Sequence, residues 1–179
     1  MTLPELERFP MRVFLGGDHA AFELKEHLLK VLAGAGYETI DCGALVYDPD
    51  DDYPPFCLTV GERVVAEPGS LGVVLGGSGN GEQIAANKVP GIRAALVWNR
   101  DTAVLARQHN DANVLAVGAR QHSVDEATGL VLLFLATPFS VEARHVRRIG
   151  LIGDYERDRG RRAGQLSAQA CGGNRKDPR

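Results

Sequence analysis

The chain has 179 residues, 44% hydrophobic and 24% charged, which is enough material for one domain with a full hydrophobic core. A net charge of −3 makes no whole-protein case for nucleic acid or an anionic membrane surface as partner. That average hides an asymmetry: residues 157–179 hold seven basic and two acidic side chains, a net of +5 that leaves −8 on the first 156 residues.

No apolar run approaches the ~20 residues of a membrane span, and the N-terminus lacks the basic-then-apolar order of a signal peptide. Cys42, Cys57 and Cys171 show no metal spacing and cannot all pair within one chain, so a reducing cytoplasm is the expected compartment.

Residues 1–10 read as a short extension. Strands are then predicted over Arg12–Leu15, Glu38–Asp41, Gly72–Leu75, Arg93–Val97 and Val114–Val117. They alternate with helical patterns over Ala20–Ala33, Pro55–Ala66, Glu82–Asn87, Asp101–Gln108, Val124–Ala136 and Val141–Tyr155. In the first helix Leu24, Leu28, Val31, Leu32 and Ala35 recur at helical spacing. Repeated strand–helix units imply parallel strands with right-handed crossovers, hence an α/β fold of three layers. Ligands of such sheets bind beyond the carboxyl ends of the strands. From Arg157 the periodicity is lost, and residues 157–179 read as a basic disordered tail.

The chemically rich residues follow the predicted strand ends. Asp18-His19 comes after the first strand: the Asp suits sugar hydroxyls, a cation or a helix cap, and the His suits phosphate or proton transfer. After the third strand, Gly76, Gly77, Gly79 and Gly81 fall within six positions. They are expected to free the backbone for φ > 0 and to let N–H groups approach a ligand closely. The following helix adds its unpaired N–H groups and positive dipole end, suiting an anion or an oxygen that becomes negative during reaction. Two side chains in the loop can do chemistry, Ser78 and Glu82. Asn80 with Gln83 reads as an N-cap and its reciprocal partner, placing Glu82 in the first helical turn.

Familiar phosphate signatures do not apply: Gly81 is followed by Glu82-Gln83 rather than Lys-Ser/Thr, and Gly77, Gly79 and Gly81 are evenly spaced where the dinucleotide fingerprint needs Gly-x-Gly-x-x-Gly. His109-Asn110 ends a helix, where a histidine often serves only the dipole. Arg144 and Arg148 share a helix face that can grip a phosphate through several donors, and spacing does not separate Arg147 from them. His27, His122 and His145 read as structural. The acidic run Asp48, Asp50, Asp51 and Asp52 lacks EF-hand spacing and reads as a polar loop, with Tyr53 reaching the site.

Gly-Gly-Asp-His-Ala near the start, Asp-Tyr-Pro at 52–54, Gly-Gly-Ser-Gly-Asn-Gly-Glu at 76–82 and Asn-Lys at 87–88 occur in that order. His-Asn at 109–110, Gly-Ala-Arg at 118–120 and Arg-His-x-x-Arg at 144–148 complete the pattern. Over about residues 11–156 the chain resembles the sugar-phosphate isomerases of the ribose-5-phosphate isomerase type B family, which includes galactose- and allose-phosphate isomerases. The resemblance implies a Rossmann-like three-layer α/β/α sandwich with a five-stranded parallel sheet. It also implies a homodimer, or a tetramer built from it, with sites shared between subunits, and neither metal nor organic cofactor.

Residue by residue, it implies that Asp18 binds sugar hydroxyls and that His109, beside Asn110, assists ring opening. Backbone N–H groups over Gly77, Ser78, Gly79, Asn80 and Gly81 would hold the enediolate. His19, Arg120, Arg144 and Arg148 would hold the phosphate, the three arginines being expected from the partner chain.

Many family members carry a cysteine base at the position of Ser78, and an unassisted serine hydroxyl is far too weak an acid to replace it near pH 7. The proton then goes to Glu82, as in a Ser-with-Glu branch of the family. Burial would raise the Glu82 pKa and the helix N-terminus would lower it. The expected activity is isomerisation of ribose 5-phosphate and ribulose 5-phosphate. Alternatives are another sugar phosphate (a tetrulose, allose or galactose phosphate) or a non-catalytic sugar-phosphate-binding subunit. A phospho-acceptor receiver domain is disfavoured, since the third strand ends in Gly-Gly-Ser rather than an acceptor Asp.

Overall fold

A computed structural model describes the backbone of residues 10–172 and the side chains through Asp158. The chain divides into two units, residues 1–140 and 141–179.

In the first unit, β1 (Arg12–Gly17), β2 (Glu38–Asp41), β3 (Leu71–Gly76), β4 (Ala94–Leu96) and β5 (Val114–Gly118) form one sheet in the order β2-β1-β3-β5-β4. All four pairings are parallel, as the strand–helix alternation requires. The helices are α1 (Phe22–Gly34), α2 (Tyr53–Ala66), α3 (Asn80–Ala86), α4 (Arg100–Asn110) and α5 (Val124–Ala136).

Alternation along each strand divides the buried residues into two cores. Val13, Leu15, Val73, Leu75, Leu115 and Val117 face one side, where α1, α4 and α5 supply Leu28, Ala103 and Phe134. Phe14, Val74, Val114 and Ala116 face the other, against Cys57 and Val60 of α2 and Ala85 of α3. Period-two strands clothed by helices on both faces give the α/β/α sandwich expected from the sequence.

Element boundaries moved for identifiable reasons. The helix expected from Ala20 opens as a 3-10 turn over His19–Ala21, where the Asp18 carboxylate accepts the Ala20 N–H at 3.1 Å, and turns α-helical at Phe22. The helix expected from Pro55 begins at Tyr53, because prolines fit its first positions, where the missing N–H costs nothing. The Asn80–Gln83 cap does not form. Gly79 is the N-cap at φ +81°, Asn80 is already helical, and its N–H and side-chain amide donate to Ser78 Oγ at 3.3 Å each. Gln83 instead donates to the Ala94 carbonyl of β4.

The second unit is one helix, α6 (Ala143–Gly172). Its backbone is helical past position 157, where the basic tail was expected to lose regular structure. The part of that tail from residue 173, and all its side chains beyond Asp158, lie outside the described residues. No helix among the described residues is long and apolar enough to cross a membrane.

Candidate active site

The strand order places a topological switch between β1 and β3: the chain leaves β1 toward β2 on one side and returns to β3 on the other. The crevice beyond the carboxyl ends of such a strand pair is where open α/β sheets bind ligands. Asp18 and His19 follow β1 there, and the glycine loop follows β3.

Close approach, more than backbone freedom, explains Gly76 and Gly81 of this loop. Only Gly79 takes positive φ. A Cβ at Gly76 would stand 1.8 Å from Glu82 Oε1, and one at Gly81 would stand 2.6 Å from the Tyr53 hydroxyl. Gly76 thus makes room for a folded-back carboxylate, and Gly81 for an aromatic ring brought in by the start of α2.

Glu82 is 4% exposed although it sits in the first turn of a helix. Its carboxylate draws on the N–H groups of Glu82 and Gly79, and its Oε2 is buried with no hydrogen-bond partner. Burial raises its pKa above the usual carboxylate range, Asp18 adds to the rise, and the two N–H groups only partly offset it. The competition between burial and helix terminus therefore resolves in favour of burial. Asp18, 7% exposed, is raised mainly by burial too, while its bond from Ala20 and the charges of His19 and Arg120 lower it. Two buried carboxylates at one strand-end crevice, both lifted toward neutrality, are suited to accept protons. Cys57, buried beneath them, is pushed up to about 12, chiefly by burial and then by Glu82 and Asp18. It is an inert thiol.

Arg120 corrects one expectation drawn from the resemblance. The turn after β5 is tied to the glycine loop by Ala119 N–H to Gly76 O at 2.7 Å and Arg120 N–H to Gly77 O at 3.1 Å. The Arg120 side chain lies 3.6 Å from the place a Gly77 Cβ would occupy. Arg120 therefore belongs to the same protomer's loop rather than to a partner's. His19, Tyr53 and Asn80 also lie here. Ser78 is exposed and its oxygen accepts from the Asn80 N–H and side-chain amide.

His109 and Asn110 do not join this group within one chain. They end α4, which starts at the carboxyl end of β4 and runs back for 11 residues, about 16 Å of helix. Arg93, just before β4, donates from Nε to the carbonyls of Asn110 at 2.9 Å and Asp111 at 3.1 Å. His109 is thereby placed near the amino-terminal end of the sheet, opposite the glycine loop. In the second unit, Arg144 and Arg148 are exposed one turn apart on α6, Arg144 pairs with Glu142 at 2.8 Å, and His145 is buried.

Asp51 is not legible as a site residue in the sequence, where it reads as one acidic residue among several. Its carboxylate accepts from both the backbone and the ring of His19. Single-atom ligands of Asp18, His19 and Asp51 lie within 4.8 Å of one another. The Asp18 and Asp51 oxygens that hold Ala20 and His19 are already engaged, so the cluster reads as a hydrogen-bonded ion pair beside a cap. Asn87, part of the quoted pattern, is structural. It exchanges bonds with Ala94 at 2.8 and 2.9 Å and ties α3 to β4.

An open parallel sheet with an amide-lined loop, buried carboxylates and an arginine at its switch point defines a Rossmann-like small-molecule site. The chain belongs to the Ribose/Galactose Isomerase family, whose model matches residues 13–152. It is 58% identical over 147 residues to ribose-5-phosphate isomerase B of Mycobacterium tuberculosis (strain CDC 1551 / Oshkosh), covering 82% of this chain and 91% of that one. Among solved structures it matches ribose-5-phosphate isomerase B of Clostridium thermocellum with a TM-score of 0.79 at 42% identity, over 83% of this chain and 99% of that chain. The enzyme of Mycoplasma genitalium, solved with bound ribulose-5-phosphate, matches with a TM-score of 0.79 at 37% identity, over 82% of this chain and 97% of that chain.

Proposed function

We propose that this chain interconverts ribose 5-phosphate and ribulose 5-phosphate through a cis-enediolate, with Glu82 as the base. The observation that carries the reading is the buried Glu82 carboxylate, one oxygen without a partner, folded over an amide-lined loop. Glu82 removes the C2 proton of the open aldose, and the C–H electrons form the C1–C2 double bond as the C1 carbonyl oxygen becomes negative. Loop N–H groups stabilise that oxygen, each such donor contributing typically ~3–4 kcal/mol. The C2 hydroxyl proton passes to the C1 oxygen, and return of the abstracted proton from Glu82 to C1 gives the ketose. Asp18 holds sugar hydroxyls, and His19 and Arg120 hold the phosphate together with Arg144 and Arg148 of the partner subunit. The chemistry asks for no cofactor and suits a cytoplasmic enzyme.

The site is completed by a second copy of the chain, which brings His109 and Asn110 to the glycine loop for ring opening. Two observations support this: the placement of His109 at the far end of its own sheet, and the exposed Val146, Leu151, Ile152 and Tyr155 of α6. Such an apolar series on one helix calls for a covering partner.

In D₂O, wild-type protein with ribose 5-phosphate is expected to form ketose and incorporate deuterium, and Glu82→Gln to lose both. Exchange retained in the variant would remove Glu82 as base. No exchange in wild type would redirect the assay to galactose and allose phosphates. The shared site has its own test, because mixed dimers of Glu82→Gln and His109→Asn contain one intact site only if the two residues come from different copies. Random mixing should then restore about a quarter of wild-type activity from two inactive variants. No recovery would place His109 elsewhere.

A further inference from the structure

Four acidic residues precede α2, and three of them, Asp48, Asp50 and Asp52, are exposed as a solvated loop should be. Asp51 differs. A turn in which Asp50 N–H donates to Asp48 Oδ1 at 3.0 Å, and Asp51 N–H to Asp48 O at 3.2 Å, rotates it inward, leaving its side chain 11% exposed. One oxygen, Asp51 Oδ1, accepts both the backbone N–H of His19 at 2.9 Å and ring Nδ1 at 2.8 Å. These are long-range contacts, 32 residues apart in sequence.

We propose that Asp51 is a positioning residue that clamps His19 at backbone and ring, takes Nδ1–H as its donor, and so turns Nε2 toward the substrate phosphate. This rests on the reading that His19 holds the phosphate. The geometry has two consequences. Anchoring both ends of the side chain removes rotamer freedom before the ligand arrives. A carboxylate on Nδ1–H also stabilises the imidazolium, the form in which Nε2 carries a proton as well and donates a charge-assisted bond. The charged groups acting on His19 are Asp51 and, at the end of β1, Asp18, which is itself influenced by Arg120 after β5 and acts on Glu82 of α3. The bond to Asp51 is the largest influence raising the His19 pKa; burial opposes it, and Asp18 adds to the rise.

A carboxylate this close to a phosphate could equally repel it, so the sign of the Asp51→Asn effect decides the matter. The variant keeps shape and an acceptor but removes the charge. Positioning predicts a lower His19 pKa by NMR titration of the ring. It also predicts a KM for ribose 5-phosphate, and an inhibition constant for inorganic phosphate, each raised about tenfold, as for one charge-assisted bond. kcat should change far less. Tighter phosphate inhibition, or unchanged KM, would overturn the proposal.

Two controls separate the possible failures. His19→Gln should weaken phosphate inhibition, and adding Asp51→Asn to it should do no more. If His19→Gln leaves inhibition unchanged, the phosphate reading of His19 fails and this inference with it. If His19→Gln weakens inhibition and Asp51→Asn does not, only the inference fails. Should Asp51→Asn not fold, wild type supplies the test with inorganic sulfate, whose charge is constant across neutral pH. Its inhibition must fade as the His19 ring loses its proton, and inhibition indifferent to that titration would overturn the proposal.

Discussion

The two ends of the parallel sheet both hold charged residues and treat them in opposite ways. At the amino-terminal end the groups satisfy one another. Arg93 and Arg107 both reach Asp111, at 3.1 and 2.8 Å, and Arg107 also donates to the carbonyls of Ala112 and Thr137. Asn113 binds the Arg93 N–H and the Gly91 carbonyl, and Arg12 pairs with Glu38 and Glu67. At the carboxyl end, Glu82 and Asp51 each keep a buried oxygen without a partner among the described residues, and Asp18 lies buried beside them. The one such atom at the other end, Arg12 Nε, belongs to a guanidinium bonded twice elsewhere. A staple and a reaction site use the same residue types; what separates them is whether the buried polar atoms are already satisfied.

The largest effect should come from the least satisfied group. Glu82→Gln is expected to lower kcat by ~10³-fold or more with little change in KM, as loss of a general base does, measured by steady-state kinetics. Gly76→Ala comes next, since its methyl would collide with Glu82 Oε1 and displace the base. A carboxylate moved by an ångström should reduce kcat by ~10²-fold, and a crystal structure of the variant should show the displaced side chain. Either variant with wild-type turnover would break the distinction between the two ends.

The satisfied end should respond in stability instead. Asp111→Asn tolerates the left-handed backbone there, φ +43°, and removes the charge shared by two arginines. Because Asp111 is 37% exposed, a loss of only ~1–2 kcal/mol is expected. Thermal unfolding should record it, with kcat per folded molecule changing much less than in Gly76→Ala.

Glu82 also couples reactivity to stability through pH. Its pKa is raised in the fold, so the folded chain holds that proton more readily than the unfolded one. Its contribution to stability is fully present below the unfolded carboxylate range and is lost as pH rises through the folded value. Glu82→Gln should therefore raise the unfolding midpoint near neutral pH, and the gain should vanish below about pH 4. The smallest effect concerns the thiols: with Cys57 pushed up to about 12 and Cys42 to about 11, alkylation at pH 8 should leave turnover unchanged. Inactivation would mean that a thiol takes part in the reaction after all.

Local patterns were enough for the strands and helices, the sheet's parallel character and the grouping of Asp18, His19 and Glu82 at its carboxyl end. Hydrophobic period and turn chemistry act over a few residues and survive in one dimension. Helix starts were less legible, as at Asn80, because a cap depends on which side chain reaches which N–H. Asp51 was invisible because its partner lies 32 residues away. Nothing in a run of four aspartates marks the one turned inward.

By itself the sequence determined the family and the layered fold, since both rest on order, spacing and period. Only the tertiary structure decided that burial outweighs the helix terminus at Glu82, that Arg120 serves its own protomer's loop, and that His109 stands at the opposite end of its sheet. Each of those outcomes is a balance or a distance. Opposing electrostatic contributions depend on the positions of every neighbouring atom, and the end of the sheet at which a helix finishes depends on where its strand and its cap are set in space.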